Sequence, residues 1–396
     1  MSFSRIRGGR SSCRTPARRH PELRQGAGAE CGVERPFGGR HVSGRGRFDY
    51  VRASSIAEAV AAAAEPGAVY LAAGTNLLDL MKGGVTHPLR VVDITRLPGL
   101  GAIEHLPDGG VRIGALVRNS DLAHDAAFAR RYPAIAEALL SGASAQLRNA
   151  ATTAGNVMQR TRCPYFYDPA SACNKRAPGA GCDAKHGETR LNAILGWSED
   201  CIATHPSDFC VALAALDAIV EIEGTAGRRE VPLADFHRLP GDTPHIETVL
   251  APGELIVAVR LPVDAAGFAA HARYLKVRER TSYAFAVVSA AAALRLGGGK
   301  ITEARLAFGG VALKPWRARA AEALLAGREP HGAVFREAAQ AAMADATPSG
   351  DNAYKIELAR RVIVRALVLA AAGTPERLSA LPASPFAHVP GVPARA

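Results

Sequence analysis

Between Asn156 and Asp208 the chain reads NVMQRTRCPYFYDPASACNKRAPGAGCDAKHGETRLNAILGWSEDCIATHPSD, and no other stretch constrains the fold as much. Four of the seven cysteines lie in it, Cys163, Cys173, Cys182 and Cys201, at steps of 10, 9 and 19 residues. Glycines and prolines interrupt it throughout, which predicts a loop-rich excursion and not a regular element. A loop this long is unusual in a compact domain unless something holds it. Four thiolates around one inorganic centre would hold it, and four cysteines are the usual ligand set of a [4Fe–4S] cluster. Other readings stand beside that one. A four-cysteine zinc site normally carries close CxxC pairs, and none occurs here. Two disulfides would require an oxidising compartment, and no signal peptide supports one. Four unconnected thiols also fit the spacing. Cys210 sits in the apolar run FCVALAAL and reads as a buried core thiol.

The chain has 396 residues, enough for two or three domains with a sizeable core. Its net charge of +11 would suggest nucleic acid until the charge is located. Residues 1–47 hold eleven Arg and three Glu, a net of +8, which leaves +3 for everything after them. The remainder is therefore close to neutral, and nucleic-acid binding loses its main support. The first 47 residues are rich in Arg, Gly and Ser without hydrophobic periodicity, so they are expected to be a disordered basic extension, dispensable and non-native. Arg18-Arg19 is not followed by an apolar run, which argues against a twin-arginine signal. No uncharged apolar run is long enough for a membrane span.

Read in order, Ser55 caps an alanine-rich helix, with Glu58 three residues on. A short buried strand from Ala68 to Ala72 follows, then a sharp turn at Ala73-Gly74-Thr75-Asn76, then a helix from Leu77 to Lys82. Strand, small-residue turn and helix N-terminus together offer several backbone N–H groups to one point, a cradle for a phosphate or simply an ordinary β–α turn. Strands are expected at 89–94, 111–115 and 255–261, and a helix from Tyr132 to Leu140. A second small-residue turn spans 143–156, ASAQLRNAATTAGN. Two such turns suit a dinucleotide better than a single phosphate. Residues 263–270 read as a linker. From Ala272 onward alternating strands and then helices at 319–326, 332–344 and 352–371 predict a separate α+β unit, ended by a loose Pro-rich tail at 374–396.

The segments AAGTNLLDLMK (72–82), GALVRNSDLA (114–123) and ASAQLRNAATTAGN (143–156) resemble the FAD-binding subunit of the xanthine dehydrogenase family of molybdenum hydroxylases. RTRCPYFYDPASACNKRAPGAGC (160–182) and CIATHPSD (201–208) are similar to the FAD and iron–sulfur subunit of bacterial molybdenum aldehyde oxidoreductases. KVRERTSYAFAVVSAAAA (276–293) and GGVALKPWRA (309–318) resemble the family's C-terminal domain. The resemblance implies an α+β protein. A two-subdomain FAD-binding domain of the vanillyl-alcohol-oxidase (PCMH) type would span 48–266, with the iron–sulfur insertion at 157–207. A smaller domain of the CO dehydrogenase flavoprotein C-terminal type would follow at 270–373.

Carried over position by position, the resemblance implies that Tyr70, Leu71, Ala72, Ala73, Gly74, Thr75, Asn76 and Leu77 line the FAD pyrophosphate. Gly142, Thr152, Thr153, Ala154, Gly155 and Asn156 would form the second wall. Many relatives have two glycines where this chain has Ala154-Gly155, a mild departure. Asp208 and Lys276 match an acidic and a basic cofactor contact, and Tyr283 is a further candidate to cover the flavin. Cys163, Cys173, Cys182 and Cys201 would ligate one [4Fe–4S] cluster. The implied function is an oxidoreductase subunit that transfers electrons. A large partner subunit carrying the molybdenum cofactor would oxidise an aldehyde to a carboxylic acid, and a small subunit's [2Fe–2S] clusters would deliver the electrons to FAD. No acid–base or nucleophilic residue is then needed in this chain. The alternatives are a subunit of a 4-hydroxybenzoyl-CoA reductase-like or xanthine dehydrogenase-like complex, or a non-catalytic assembly subunit stabilised by FAD or zinc. The compartment would be the cytoplasm, or the periplasm if a signal-bearing partner exports the complex.

Overall fold

The structure, a computed structural model, describes residues 47–376. The basic extension, apart from Arg47, and the tail beyond Glu376 lie outside the described residues.

Three sheets organise the chain. The first is parallel and three-stranded, with Arg90–Asp93 between Asp49–Arg52 and Ala68–Leu71. Its crossover helix, Ile56–Ala63, begins where Ser55 Oγ accepts the Glu58 N–H at 3.1 Å. The Glu58 carboxylate reaches back to the Ser54 N–H at 2.8 Å, one residue earlier than a capping box requires. The buried side chains of that helix, Ala59, Val60 and Ala63, meet Val92, Leu255 and Val257 in one apolar cluster.

The second sheet is antiparallel and five-stranded, in the order Ile103–His105, Val111–Gly114, Leu255–Leu261, Ile219–Gly224, Gly227–Pro232. Its central strand, LIVAVRL, is buried at every position but Arg260, as its unbroken apolar run foretells. Two helices, Pro133–Ser141 and Asp208–Ala215, pack on this sheet, and both are buried along their whole length.

The third sheet, also antiparallel, pairs Ala272–Val277, Val288–Gly297, Lys300–Gly309 and Trp316–Arg317 in that order. Helices Arg319–Leu325, Gly332–Ala342 and Tyr354–Ala371 cover one face around Phe308, Phe335 and Ile363. The other face meets the long-buried helices of the second sheet. There Glu137 accepts the Tyr274 N–H at 2.7 Å and pairs with Arg273 at 2.9 Å. Burial pushes the Glu137 carboxyl pKa upward, against the pull of Arg273 and the Tyr274 N–H.

Two expectations change. The linker at 263–270 is instead a 3-10 helix, Val263–His271, because Ala265 and Phe268 are buried and the Arg295 guanidinium lies 4.4 Å from the Phe268 ring. The small-residue turn at 143–156 holds two short helices, Ala145–Arg148 and Thr153–Val157, started by Ser144 and Thr152 side-chain caps.

The cysteine stretch is largely irregular, with one α-turn at Pro164–Tyr167 and one 3-10 turn at Asp183–His186. Its frame is the triplet Asn174-Lys175-Arg176. Asn174 accepts the Gly181 N–H at 2.8 Å and donates to the Asp200 carbonyl. Lys175, 2% exposed, donates to the Pro244 carbonyl at 2.7 Å and pairs with Glu247 at 2.8 Å. Arg176 donates to the carbonyls of Tyr165 and Phe166 at 2.9 and 2.8 Å. Farther along, Lys355, fully buried, donates to the carbonyls of Leu191, Asn192 and Gly310 at 2.9, 2.8 and 2.6 Å.

Candidate functional site

The two turns singled out in the sequence face one another. Gly74 has φ +74°, in the left-handed region, and a Cβ there would lie 2.8 Å from Leu78 Cδ1. Conformation and space both exclude a side chain, so the backbone of this turn stays open to a guest. Opposite it, Thr152 Oγ accepts the Gly155 N–H at 3.3 Å and sets the second turn. Between them is a cavity of about 390 Å³ lined by Tyr70, Ala72, Ala73, Gly74, Thr75, Asn76, Leu77, Thr152, Ala154 and Gly155. Buried Asn76 Oδ1 has no hydrogen-bond partner.

Thr75 also lines a second, larger cavity of about 520 Å³, which Gly142, Asn156, Asp208, Lys276 and Tyr283 help to wall. Asp208 opens the helix Asp208–Ala215 and is held at both oxygens, by Tyr274 OH at 2.6 Å and by Lys276 Nζ at 2.7 Å. Lys276 and Arg278 donate to the Ser141 carbonyl at 3.2 and 2.8 Å, and Arg148 to that of Gly142 at 2.7 Å. Burial, then repulsion from Arg278, lowers the pKa of Arg148. Ala143, beside them, has φ +51°, a strained conformation for a non-glycine residue at the cavity wall. Asn119 Oδ1 is a buried acceptor on this wall that lacks a partner.

Two chambers joined at Thr75 suit an elongated dinucleotide. One has small residues and backbone at its turns with the unmet Asn76 acceptor, and the other a charged pair and the unmet Asn119 acceptor, so the residues present fit FAD. Of the positions expected to contact it, Leu71 and Thr153 line neither chamber. Thr153 is buried and turns its hydroxyl to the Val117 carbonyl at 3.1 Å, and Leu71 packs beneath the Gly74 turn. The sequence reading missed Arg148, Tyr274 and Asn119. Arg148 and Asn119 lie inside quoted motifs, but nothing in the pattern distinguished them from surface residues.

The four cysteines converge. Cys163, Cys173, Cys182 and Cys201 line one small cavity, and Cys163 lines the larger chamber as well. None of the four is in a disulfide. Burial raises the pKa of the Cys163 and Cys182 thiols, and nearby backbone N–H groups, those of Phe166 and Tyr165 for Cys163 and of Lys185 and Ile202 for Cys182, pull against it. Burial raises the Cys201 pKa to about 11, although the Lys175 ammonium pulls against it.

A family model, the FAD-binding domain in molybdopterin dehydrogenase, matches residues 46–264, more than half of the chain. The chain belongs to this family. A second model, the CO dehydrogenase flavoprotein C-terminal domain, matches residues 273–370. The aldehyde oxidoreductase FAD-binding subunit PaoB of Escherichia coli K12 is 51% identical over 82% of this chain and 98% of its own length. The carbon monoxide dehydrogenase medium chain of Hydrogenophaga pseudoflava is 29% identical over 81% of this chain and 96% of its own. Among solved structures, a reconstituted CO dehydrogenase from Oligotropha carboxidovorans superimposes with a TM-score of 0.66 at 26% identity, covering 83% of this chain and 99% of the other. This molybdopterin dehydrogenase flavoprotein is thus an FAD-binding oxidoreductase subunit of the molybdenum hydroxylase type, with the α+β organisation that the resemblance implies. No helix among its described residues is long and apolar enough to cross a membrane.

Proposed function

We propose that the chain is the electron-transferring subunit of an aldehyde oxidoreductase and that it holds one [4Fe–4S] cluster beside its FAD. The observation that carries this reading is the meeting of Cys163, Cys173, Cys182 and Cys201 at one cavity. Two ligands at about 2.3 Å from a single zinc stand no more than about 4.6 Å apart. Among the described residues the group of three or more metal-type ligands within 4.8 Å of one another does not include these cysteines. Their wider spacing favours a multi-atom centre over zinc, and the backbone N–H groups near Cys163 and Cys182, which oppose the upward push of burial, would favour ligating thiolates. The similarity to PaoB, which extends through the insertion, supports aldehydes as the substrate class.

In this reading FAD, when bound, exchanges electrons singly or in pairs and so joins one-electron carriers to a two-electron acceptor. The chain's own residues supply binding and orientation. The Gly74 and Thr152 turns receive the dinucleotide's phosphates on backbone N–H groups. The Asp208–Lys276 pair, fixed by Tyr274 and Ser141, gives the larger chamber a rigid polar wall. A molybdenum-bearing large subunit and a [2Fe–2S] small subunit are the partners. The compartment follows whatever signal those partners carry.

The test replaces each insertion cysteine, and Cys210, by serine. Each of the four ligand variants is expected to lose about four irons per chain and to become protease-sensitive within 157–207. Cys210→Ser is expected to keep its iron. Unchanged iron in any of the four removes that residue from the ligand set. A colourless, zinc-containing purified chain would overturn the reading as a whole.

A further inference from the structure

Behind the wall of the larger chamber lies a group of side chains with no part in the cleft's charge network. His205, Cys210 and His237 are all buried, and each offers a ligand atom within 4.8 Å of the other two. They come from three places in the fold: the segment after Cys201, the helix Asp208–Ala215, and the residue following the helix Leu233–Phe236. The two imidazoles touch at an interplanar angle of 60°, with ring centroids 4.4 Å apart. His237 Nε2 meets the Val157 carbonyl at 2.9 Å, which fixes its N–H there and leaves Nδ1 as a bare lone pair. His205 Nδ1 is approached by the Ser207 N–H at 3.4 Å. His205 Nε2 and His237 Nδ1 have no hydrogen-bond partner. Two unmet nitrogens beside a thiol, in rings 8% and 4% exposed, are costly to leave as they are.

We propose that His205, Cys210 and His237 form a closed, three-coordinate site for copper(I). A thiolate and two imidazoles are a soft-to-borderline donor set that suits this cation. Zinc fits less well, since it takes a fourth ligand. Of the carboxylates around the group, Asp208 is committed to Tyr274 and Lys276, and Glu247 to Arg160 and Lys175. Charge points the same way. Copper(I) with one thiolate is neutral, whereas zinc(II) would leave a net positive charge in an apolar core. On binding, the Cys210 thiol gives up its proton to bulk water, the metal–sulfur bond replaces the S–H bond, and no electron is transferred. Ligation through His205 Nε2 places that ring's proton on Nδ1, so the 3.4 Å contact with Ser207 is the one that yields. His205 also borders the larger chamber, which gives the ion a route inward.

The test is anaerobic titration of the purified chain, with its FAD and iron in place, using copper(I) in competition with a chromogenic copper(I) chelator. The expected result is one copper retained per chain, with X-ray absorption showing two nitrogen and one sulfur neighbours and with iron and flavin content unchanged. His237→Gln and Cys210→Ser should each weaken retention at least tenfold. No retention by the wild-type chain overturns the site, and that measurement needs no variant to fold. Equal retention by both variants overturns the ligand set. One tightly held zinc in place of copper overturns the choice of cation.

Discussion

The flavin cradle and the cysteine insertion adjoin one another yet are built on opposite plans. The cradle uses backbone: a left-handed glycine, a side-chain cap and the ends of short helices, all carried by strands and helices that would form for their own reasons. The insertion has almost no regular structure, and it is fixed by side chains reaching backbone carbonyls. Lys175 ties it to the segment around Glu247, Arg176 folds it onto itself, and Lys355 with Asn352 ties residues 191–193 to the C-terminal helix. A backbone device spreads its cost over many residues. A tether of single buried cations concentrates it in a few. Single substitutions should therefore damage the insertion far more than the cradle, unless they touch the one glycine.

The largest effect is expected at Lys175. Its removal leaves the partly buried Glu247 paired with Arg160 alone and the Pro244 carbonyl without its donor, and breaking a buried pair by removing one partner costs at most about 3–5 kcal/mol. Lys175→Met should open residues 160–205 to protease and deplete iron while flavin content falls much less. If flavin and iron are lost together, the two regions are one cooperative unit and the contrast fails. Next is Gly74→Val, which forces a β-branched side chain into φ +74° and into Leu78. The purified variant should contain little FAD yet retain its iron. Full flavin occupancy would show that this turn is not the cradle.

How much of this the sequence disclosed differs between the regions for the same physical reason. Strand 255–261, the helix beginning after Asn76 and the helix 354–371 follow from apolar periodicity, and the left-handed turn follows from a glycine between small residues. The cysteines stood out by residue type, so their convergence was legible before any coordinates. Lys175 and Lys355 were not, because lysine is ordinarily a surface residue and its burial depends on carbonyls distant in sequence. The two short helices in 143–156 escaped notice for a local reason: their small residues read as a turn, and the Ser144 and Thr152 caps count only once the flanking backbone is known to be helical. Leu71 and Thr153 share a motif with residues that line the cavity, but strand alternation turns Leu71 away, and Thr153, in the first turn of its helix, gives its hydroxyl to the Val117 carbonyl.

Lys355 sharpens the comparison through pH. Burial, then Arg190, lowers its pKa to about 7 in the folded chain, against about 10.4 when exposed. Between those values the unfolded or opened state binds more protons than the closed one, so closure gains stability as pH rises from 7 toward 10 and is weakest below 7. A shift of that size corresponds to at most about 4–5 kcal/mol over that window, and the three carbonyl acceptors, which favour the ammonium, reduce it. Hydrogen exchange at residues 189–193 should slow, after correction for intrinsic rates, between pH 7 and 9.5, and Lys355→Met should lack that trend. A wild-type profile parallel to that of the variant would show that the tether does not titrate.

The smallest effect is expected where the cradle depends on one side chain. Thr152 Oγ accepts the Gly155 N–H at 3.3 Å, longer than a good N–H···O bond, and the same turn is independently held by the Thr153 N–H to the Val117 carbonyl and the Ala154 N–H to that of Ala115, at 2.9 and 3.0 Å. Loss of an N-cap hydroxyl costs about 0.5–2 kcal/mol in general, and this long bond belongs at the lower end. Thr152→Ala should therefore weaken FAD binding by no more than about fivefold, measured by flavin release during dilution, because 1.4 kcal/mol corresponds to about tenfold. Insertion iron and protease resistance should not change. A much larger loss of flavin would mean that the hydroxyl itself meets the cofactor, and that the cradle, like the insertion, relies on individual side chains.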